Sequence, residues 1–251
     1  MPVRARVHAI PVCVLLAVAL FASARVSGQT PTVDEIVASH LNAKGGADKL
    51  RAINSVKTSG KVSGPNGSVP VLSWAKRPNM MRREITVEGQ SIVVAFDGTT
   101  VWAVNPMTGS GTRPQEVTGP QADMTRQDAD EFDSVLLDYK EKGHKVELIG
   151  AETVDGVKLF HLMVTKKNGN VRHIYLNAET WLEARILMPV ERGGIKGEVA
   201  VDFANYKQVD GITVPFTIRQ SFGGQPVAEV TVEKLEFNVP LEDSFFKMPA
   251  K

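Results

Sequence analysis

The sequence is poor in the residues that most often build disulfides and catalytic sites. Of its 251 residues, one is a cysteine, three are tryptophan and three are tyrosine. The cysteine, Cys13, lies near the N-terminus inside an uncharged apolar run. If that run is removed, the rest of the chain has no disulfide, thiolate nucleophile or cysteine metal site. Cys13 also precedes most of the run, whereas a lipid-anchored cysteine follows one.

The N-terminal run predicts an export signal. Arg4 and Arg6 give a basic start, and residues 10–24 carry no charge. The run is shorter than the roughly 18 residues that a spanning helix needs, and small residues follow it. We expect a signal peptide over 1–28, with cleavage after Ala24 as the second choice, and one domain over 29–251. An uncleaved N-terminal anchor is the alternative. The expected product is a soluble, monomeric periplasmic protein.

The sequence also lacks an excess of positive or negative charge. The chain has 29 Lys and Arg against 28 Asp and Glu. Such a balance argues against nucleic acid as a partner, because nucleic-acid binding needs a basic surface. Beyond the signal, no apolar run is long enough to span a bilayer.

Motifs for catalysis and cofactors are missing as well. The sequence has no nucleophile elbow and no phosphate-binding loop, so we expect no catalytic residues and no cofactor. His161 and His173 flank a turn predicted at Asn168-Gly169 and can face each other across two strands. Ordinary polar strand residues are the favoured interpretation, with a shared zinc site as the alternative. We therefore predict no metal site.

What the sequence does contain begins with a capped helix. Thr32 and Glu35 form a capping box, and apolar residues follow at helical spacing. Gly45-Gly46 ends this helix, since glycine accepts a left-handed conformation at little cost. A shorter helical piece is expected over 47–53.

From residue 56 the hydrophobic period changes to two, which predicts strands. Short turns such as Asp97-Gly98 separate them. In the last strand, the apolar residues change parity near Lys234, which predicts a bulge there. We expect about ten or eleven antiparallel strands. The fold class is mainly β with α: an unclosed, strongly curved β-barrel whose concave face is covered by helices.

The middle of the chain has a different pattern. Residues 106–120 are rich in Gly, Pro and Thr and predict a loop. Asp128 and Glu131 then resemble a second capping box, which predicts an amphipathic helix over 128–142. The acidic residues at its start would complement the helix dipole. The apolar face of this helix consists of Phe132, Val135, Leu136 and Tyr139.

Large apolar side chains cluster on the predicted strands of both halves of the sheet. Tryptophan and methionine suit adaptable apolar pockets, although a plain β core has the same composition. We predict an apolar ligand cavity lined by eight residues: Trp74, Met80, Met81, Phe96, Trp102, Phe132, Leu136 and Tyr139.

These segments resemble a known family. The evidence is the capped helix ending in Gly-Gly, the segment from Trp74 to Ile85, the segment from Phe96 to Trp102, and a tail from Phe237 to Phe246. Together they are similar to the LolA/LolB-like outer-membrane lipoprotein-sorting group. The resemblance covers residues 32–249.

The resemblance implies an unclosed barrel with an apolar cavity under a helical lid, which carries acyl chains across the periplasm between an inner-membrane donor and an outer-membrane acceptor. It also implies that a strand arginine, Arg82 or Arg83, hydrogen-bonds to the lid. The family supplies no catalytic residues. Two other functions stay open: an envelope module that binds a protein through its sheet edge, and a hydrolase acting on lipid or glycan.

Overall fold

The computed structural model of the chain describes residues 30–65, 67–109, 111–192 and 195–250, so the predicted signal over 1–28 lies outside the described residues. The helices are α1 (Val33–Ala43), α2 (Ala47–Arg51) and α3 (Pro120–Asp130), with a short 3₁₀ helix at Asp243–Phe245. The strands are β1 (Ser55–Gly64), β2 (Gly67–Lys76), β3 (Met80–Val87), β4 (Gln90–Phe96), β5 (Val101–Val104), β6 (Gln115–Glu116), β7 (Lys145–Val154), β8 (Val157–Thr165), β9 (Val171–Asn177), β10 (Glu183–Arg192), β11 (Ile195–Val209), β12 (Ile212–Phe222) and β13 (Gln225–Phe237).

All of these strands form one antiparallel sheet in the order β6-β5-β4-β3-β2-β1-β13-β12-β11-β10-β9-β8-β7. Its edge strands are β6 and β7, so the sheet is curled but unclosed. This confirms the mainly-β, unclosed fold class. The described residues contain thirteen strands rather than ten or eleven. One reason is that β6 is a two-residue strand inside the segment predicted as a loop.

One face of the sheet carries the three helices, and we call it the helix face. Cross-strand partners share a face, and the register aligns Val101, Phe96 and Met81 in one row. The row continues through Ala75 and Val56 to β13. Met81, Phe96 and Val101 pack against Ala122 and Ala129 of α3.

Farther along the same face, α1 packs on the other half of the sheet. Ile36 and Val37 of α1 are buried in a cluster with strand residues from β8 and β9, among them Leu162 and Ile174. Burying a side chain of this size contributes about 1.5–3 kcal/mol, so this cluster anchors α1 firmly.

The opposite face of β2–β5 is covered by the C-terminal segment, and we call it the tail face. The Trp102 indole Nε1 donates a hydrogen bond to the Phe246 carbonyl at 2.7 Å. The exposed fractions of Trp102 and Phe246 are only 1% and 0%. Trp74 packs edge-on against Phe245, with ring centroids 5.2 Å apart. The tail face is therefore a second apolar layer, separate from the helix face.

Helix α1 begins and ends as predicted. Both bonds of the Thr32–Glu35 capping box are present. Gly45 follows the C-cap residue with φ +119°, and a Cβ there would collide with the Gly211 carbonyl oxygen. The Lys44 carbonyl accepts a bond from Thr213 N at 2.9 Å. The end of α1 is thus fixed to the turn between β11 and β12.

The predicted bulge is also confirmed. Ser59 pairs with Lys234, whereas Gly60 pairs with Val232, so Glu233 is an extra residue in β13. The bulge restores the apolar residues on both sides of it to one face.

The predicted helix over 128–142 is wrong. Helix α3 begins eight residues earlier, at Pro120, and residues 131–143 form successive turns. Proline is favoured at the first helical position, and Gly119 precedes it with φ +69°, so the helix starts there. Asp138 and Gly143 have positive φ and break any continuation. The apolar side chains at Val135 and Leu136 still reach the core, but from turns.

Candidate functional site

The helix face contains one cavity beside residues 131–143, a segment that we call the strap, and a second cavity beside α3. The first, the central cavity, has a volume of about 140 Å³. It is lined by Lys44, Leu50, Ile53, Val56, Phe132, Asp133, Ser134, Leu137, Ile212, Val214 and Phe237. The second, the α3 cavity, has a volume of about 210 Å³. It is lined by Met81, Arg83, Ile85, Ile92, Val94, Gln121, Met124, Thr125 and Asp128.

Arg77, in the turn between β2 and β3, ties the strap to the sheet. Its guanidinium donates to both oxygens of Asp133, at 2.7 and 2.8 Å. Its Nε donates to the Ile53 carbonyl at 2.6 Å. The guanidinium also lies over the Phe132 ring, 5.0 Å from its centroid. Bidentate charge-assisted pairs of this kind are among the stronger polar contacts, so Arg77 is the principal tether of the strap.

A second tether joins the start of the strap to the far half of the sheet. Glu131 accepts a bond from Arg172 of β9 at 2.6 Å and a longer one from Lys166 at 3.4 Å. The Arg51 guanidinium contacts Asp138, and this contact holds the pKa of the Asp138 carboxyl below its usual range. Polar contacts from α2, the β2–β3 turn and β8–β9 thus hold the strap in place.

The two arginines expected to hold the lid lie on opposite faces. Arg82 points to the tail face, where it donates to Glu84 at 2.9 Å and to the Phe245 carbonyl at 3.1 Å. Arg83 lies on the helix face, 3.8 Å from Asp128 at the end of α3. Among the residues that the structure describes, neither arginine hydrogen-bonds to the strap, which is held by Arg77 through the Asp133 carboxylate. The one signal of Arg77 in the sequence is its place just before a turn proline.

The structure divides the eight predicted cavity residues among separate environments. Met81 and Phe96 face α3, and Phe132 lines the central cavity. Leu136 and Tyr139 pack on the cluster around α1 and β8. The remaining three lie on the tail face by their register: Trp74, Met80 and Trp102.

A buried polar network borders the central cavity. The His40 ring is fully buried, with Nδ1 2.9 Å from the Trp181 carbonyl oxygen and Nε2 3.3 Å from Glu183 Oε1. The Lys44 ammonium lies 3.3 and 3.4 Å from the two Glu183 oxygens. The Tyr206 hydroxyl donates to the Glu183 carbonyl at 2.8 Å.

Electrostatics in this network favour an ionised Glu183. Burial by itself raises the pKa of the Glu183 carboxyl, but the attraction of Lys44 and His40 outweighs burial and holds that pKa well below its usual range. Burial, together with the nearby Glu183, raises the pKa of the Tyr206 hydroxyl far above its ordinary value. The network therefore holds an ion pair at the cavity wall. Sequence reasoning missed Glu183, since its partners are distant in the chain.

His161 and His173 do face each other, as predicted. Their ring nitrogens Nε2 and Nδ1 are 2.9 Å apart, and the His161 ring stacks on Tyr175. Burial, followed by the neighbouring His173, lowers the pKa of His161. Among residues 30–65, 67–109, 111–192 and 195–250 there is no cluster of three or more metal-ligating side chains.

No helix in the described part of the chain has the length and apolar character needed to cross a bilayer.

Comparisons with known proteins support the fold. No protein-family model matches the sequence, and no curated protein matches it. Among solved structures, a DUF1329 family protein from Desulfovibrio piger is similar with a TM-score of 0.58 and 17% identity, over 87% of this chain and 98% of that one. A LolA superfamily protein from Nitrosomonas europaea is similar with a TM-score of 0.55 and 13% identity, over the same shares of the two chains, 87% and 98%. The resemblance to the LolA/LolB-like group is therefore confirmed at the level of the fold.

Proposed function

We propose that this protein is a non-catalytic periplasmic carrier that binds acyl chains of lipids or lipoproteins on the helix face. The observation that carries the proposal is the pair of apolar cavities under α3 and the strap, on the face that we assign as concave. The central cavity has hydrocarbon on most of its wall, and of the described residues that line it only two, Lys44 and Asp133, are charged. Such a wall suits an alkyl chain better than a polar substrate.

We assign a closed resting state on the basis of the cavity volumes. Ligand pockets usually begin at about 300 Å³. The central and α3 cavities have volumes of about 140 and 210 Å³, so each alone is too small for a long chain. Outward movement of α3 together with the strap would join the space around Phe132 to the α3 cavity. Loading then requires the tethers at Arg77 and Glu131 to open.

The energetics suit a carrier. Each buried methylene contributes about 0.8 kcal/mol, so a chain that is buried in part binds with useful but reversible affinity. Delivery to an acceptor needs that reversibility. The predicted export signal supports a place in the envelope, and transfer between an inner-membrane donor and an outer-membrane acceptor is part of the same proposal.

The direct test is mass spectrometry of an organic extract from gently purified protein. We expect acyl lipid or lipoprotein at near-stoichiometric amounts. An extract free of amphiphiles, from protein that also fails to bind a fluorescent apolar dye, would overturn the proposal.

Variants of two phenylalanines, one on each face of the sheet, then test which face binds the ligand. Phe132 lines the central cavity, whereas Phe245 lies on the tail face against Trp74. Phe132→Ala should weaken binding of a long-chain ligand about tenfold, which corresponds to about 1.4 kcal/mol of lost contact. Phe245→Ala should leave the affinity unchanged even if it lowers the melting temperature. Equal losses in both variants would place the ligand elsewhere.

The strongest alternative is protein binding at the β7 edge. Ile149 and Val154 of this edge strand are 54% and 43% exposed, which suits an extended partner segment. A bulge between Leu148 and Gly150 interrupts the edge, however, and bulges impede strand addition. The test is peptide capture by the Ile149→Lys variant and by the unaltered protein. Equally strong capture by both would count against this alternative.

A further inference from the structure

Lys44 is the polar feature of the central cavity that the acyl-binding proposal leaves without a role. It lies at the C-terminal end of α1, and its carbonyl is fixed to Thr213. Its side chain is 16% exposed and lines a wall that is otherwise mostly apolar. A lysine at such a place loses hydration, and that cost is offset only if the ammonium finds enough oxygen partners.

The ammonium is incompletely satisfied. A lysine ammonium has three donors. In the described part of the chain it donates to Glu183 alone, at 3.3 and 3.4 Å. Charge-assisted bonds are normally about 2.7–2.9 Å, the range that Arg77 and Asp133 reach nearby. Glu183 is meanwhile shared with His40 and Tyr206. Lys44 therefore retains donor capacity at the cavity wall.

The charges around the cavity favour an anion. The lining carboxylate, Asp133, is paired with Arg77 and lies 3.7 Å from Lys142. The other carboxylate, Glu183, is paired with Lys44. Lys44, Arg77 and Lys142 thus border the cavity against Asp133 and Glu183, while Asp138, the next carboxylate of the strap, is paired with Arg51. A neutral or cationic head group would leave this excess positive charge unbalanced in a site of low polarity.

We propose that Lys44 anchors the anionic oxygen head group of a single-chain amphiphile whose alkyl chain fills the central cavity and the space that opens beside it when the strap moves outward. The head group is a carboxylate or a phosphate, and in either case an anionic oxygen accepts hydrogen bonds from the free donors of the Lys44 ammonium. This inference rests on the acyl-chain binding proposed above and specifies the ligand class for the same site. A hydrogen bond to a charged group contributes about 1.5–3 kcal/mol, so the head group should improve affinity about 10- to 100-fold.

The test compares ligands with one chain and different head groups. Dodecanoate, dodecyl phosphate, dodecanol and dodecyltrimethylammonium are titrated below their micelle concentrations against the full mature protein, at a mildly alkaline pH. We expect an anionic ligand to bind at least about tenfold tighter than dodecanol, and the cationic ligand to bind weakest. Tighter dodecanoate binding would indicate a fatty acid, and tighter dodecyl phosphate binding a phospholipid head group. Either result supports the inference.

Three variants assign the preference to Lys44. Lys44→Met keeps the aliphatic stem and should equalise dodecanoate and dodecanol while retaining dodecanol affinity. Because it leaves Glu183 buried without its lysine, the double variant Lys44→Met/Glu183→Gln is the version expected to fold if the single one does not. Lys61→Met is the matched control, since Lys61 is 57% exposed on β1 and should retain the preference.

The outcomes separate the two proposals. If no alkyl ligand binds, the acyl-binding proposal fails and this inference with it. If dodecanol binds as tightly as dodecanoate to the unaltered protein, acyl binding stands and the anionic head group is wrong. If both Lys44 variants keep the anionic preference, the anchor is another residue.

Discussion

Helices α1 and α3 lie on the same face of one sheet, but they are held there by different forces. Helix α1 has a complete capping box and buries Ile36 and Val37 in the largest apolar cluster. Helix α3 begins at Pro120, its N-cap residue Gly119 has no side chain to cap it, and the residues that it buries are small: Ala122, Thr125 and Ala129. The difference indicates that α1 is a fixed part of the core, whereas α3 covers its half of the sheet with little apolar contact.

The ends of the two helices show the same contrast. Three acidic residues follow one another closely at the C-terminal end of α3, where the helix dipole opposes negative charge. Two of them are compensated by cations from outside the helix, Asp128 by Arg83 at 3.8 Å and Glu131 by Arg172 at 2.6 Å, and Asp130 accepts a hydrogen bond from the Asn79 amide at 3.1 Å. Ion pairs open at lower cost than buried apolar contacts, as the proposed carrier function requires of this side of the cavity.

The largest expected effect concerns the ionic anchor of α1. Glu183→Gln removes the partner of Lys44 and His40 and should cost about 3–5 kcal/mol at neutral pH. The pKa of Glu183 is held below its ordinary value of 4.5, so its stabilisation is present above that value and is lost as pH falls through the folded-state pKa. Urea unfolding of the unaltered protein and of Glu183→Gln should be measured from neutral pH into acid below pH 4.5. The difference in their free energies of unfolding should shrink as the pH falls.

The control for this prediction is Glu229→Gln, which removes an exposed pair with Arg219. It should cost less than about 1 kcal/mol at any pH. A difference between Glu183→Gln and the unaltered protein that stays constant in acid would contradict the ionised network.

The next effect compares the apolar contacts of the two helices. Ile36→Ala should lower the free energy of unfolding by about 2–5 kcal/mol, because Ile36 is fully buried in α1. Met124→Ala in α3 should change it by less than about 0.5 kcal/mol, since Met124 is 45% exposed. Denaturant midpoints of the two variants measure the contrast. Similar losses in both would mean that α3 is as much a part of the core as α1.

The smallest effect concerns local opening of the strap. Arg77→Gln removes the bidentate pair with Asp133 and should speed amide hydrogen exchange over 131–143 about tenfold, equivalent to about 1.4 kcal/mol. Exchange in β8 and β9 should be unaffected. Arg126→Gln, which removes an exposed pair within α3, is the control. If the strap exchanges as slowly as the strands in Arg77→Gln protein, it is a fixed plug and not a lid.

Much of the sheet was predictable because its turns are marked in the sequence. The Asp97-Gly98 turn separates β4 from β5 as predicted, and the parity change near Lys234 located the bulge. Turn residues and period-two patterns are local signals. They specify a strand without reference to what lies on either side of it.

The site was less predictable, because its determinants are not local. The spacing of Phe132 and Leu136 fits a helix, yet these residues reach the core from turns. Period two shows that Met80 and Met81 face opposite sides, but not which side the C-terminal segment covers. The ion pair of Lys44 with Glu183 joins residues 139 positions apart, and no spacing rule connects such residues.

The central seam of the sheet, where β1 pairs with β13, has a consequence for the order of assembly. Every other strand pairing in the sheet joins neighbours in sequence, so each can form soon after its two strands are made. The β1–β13 pairing joins strands that are separated by nearly the whole chain, and contacts between residues so far apart in sequence form slowly. During synthesis from the N-terminus, β1 therefore presents one bare edge until β13 emerges. We expect the two halves to fold as separate meanders and join last.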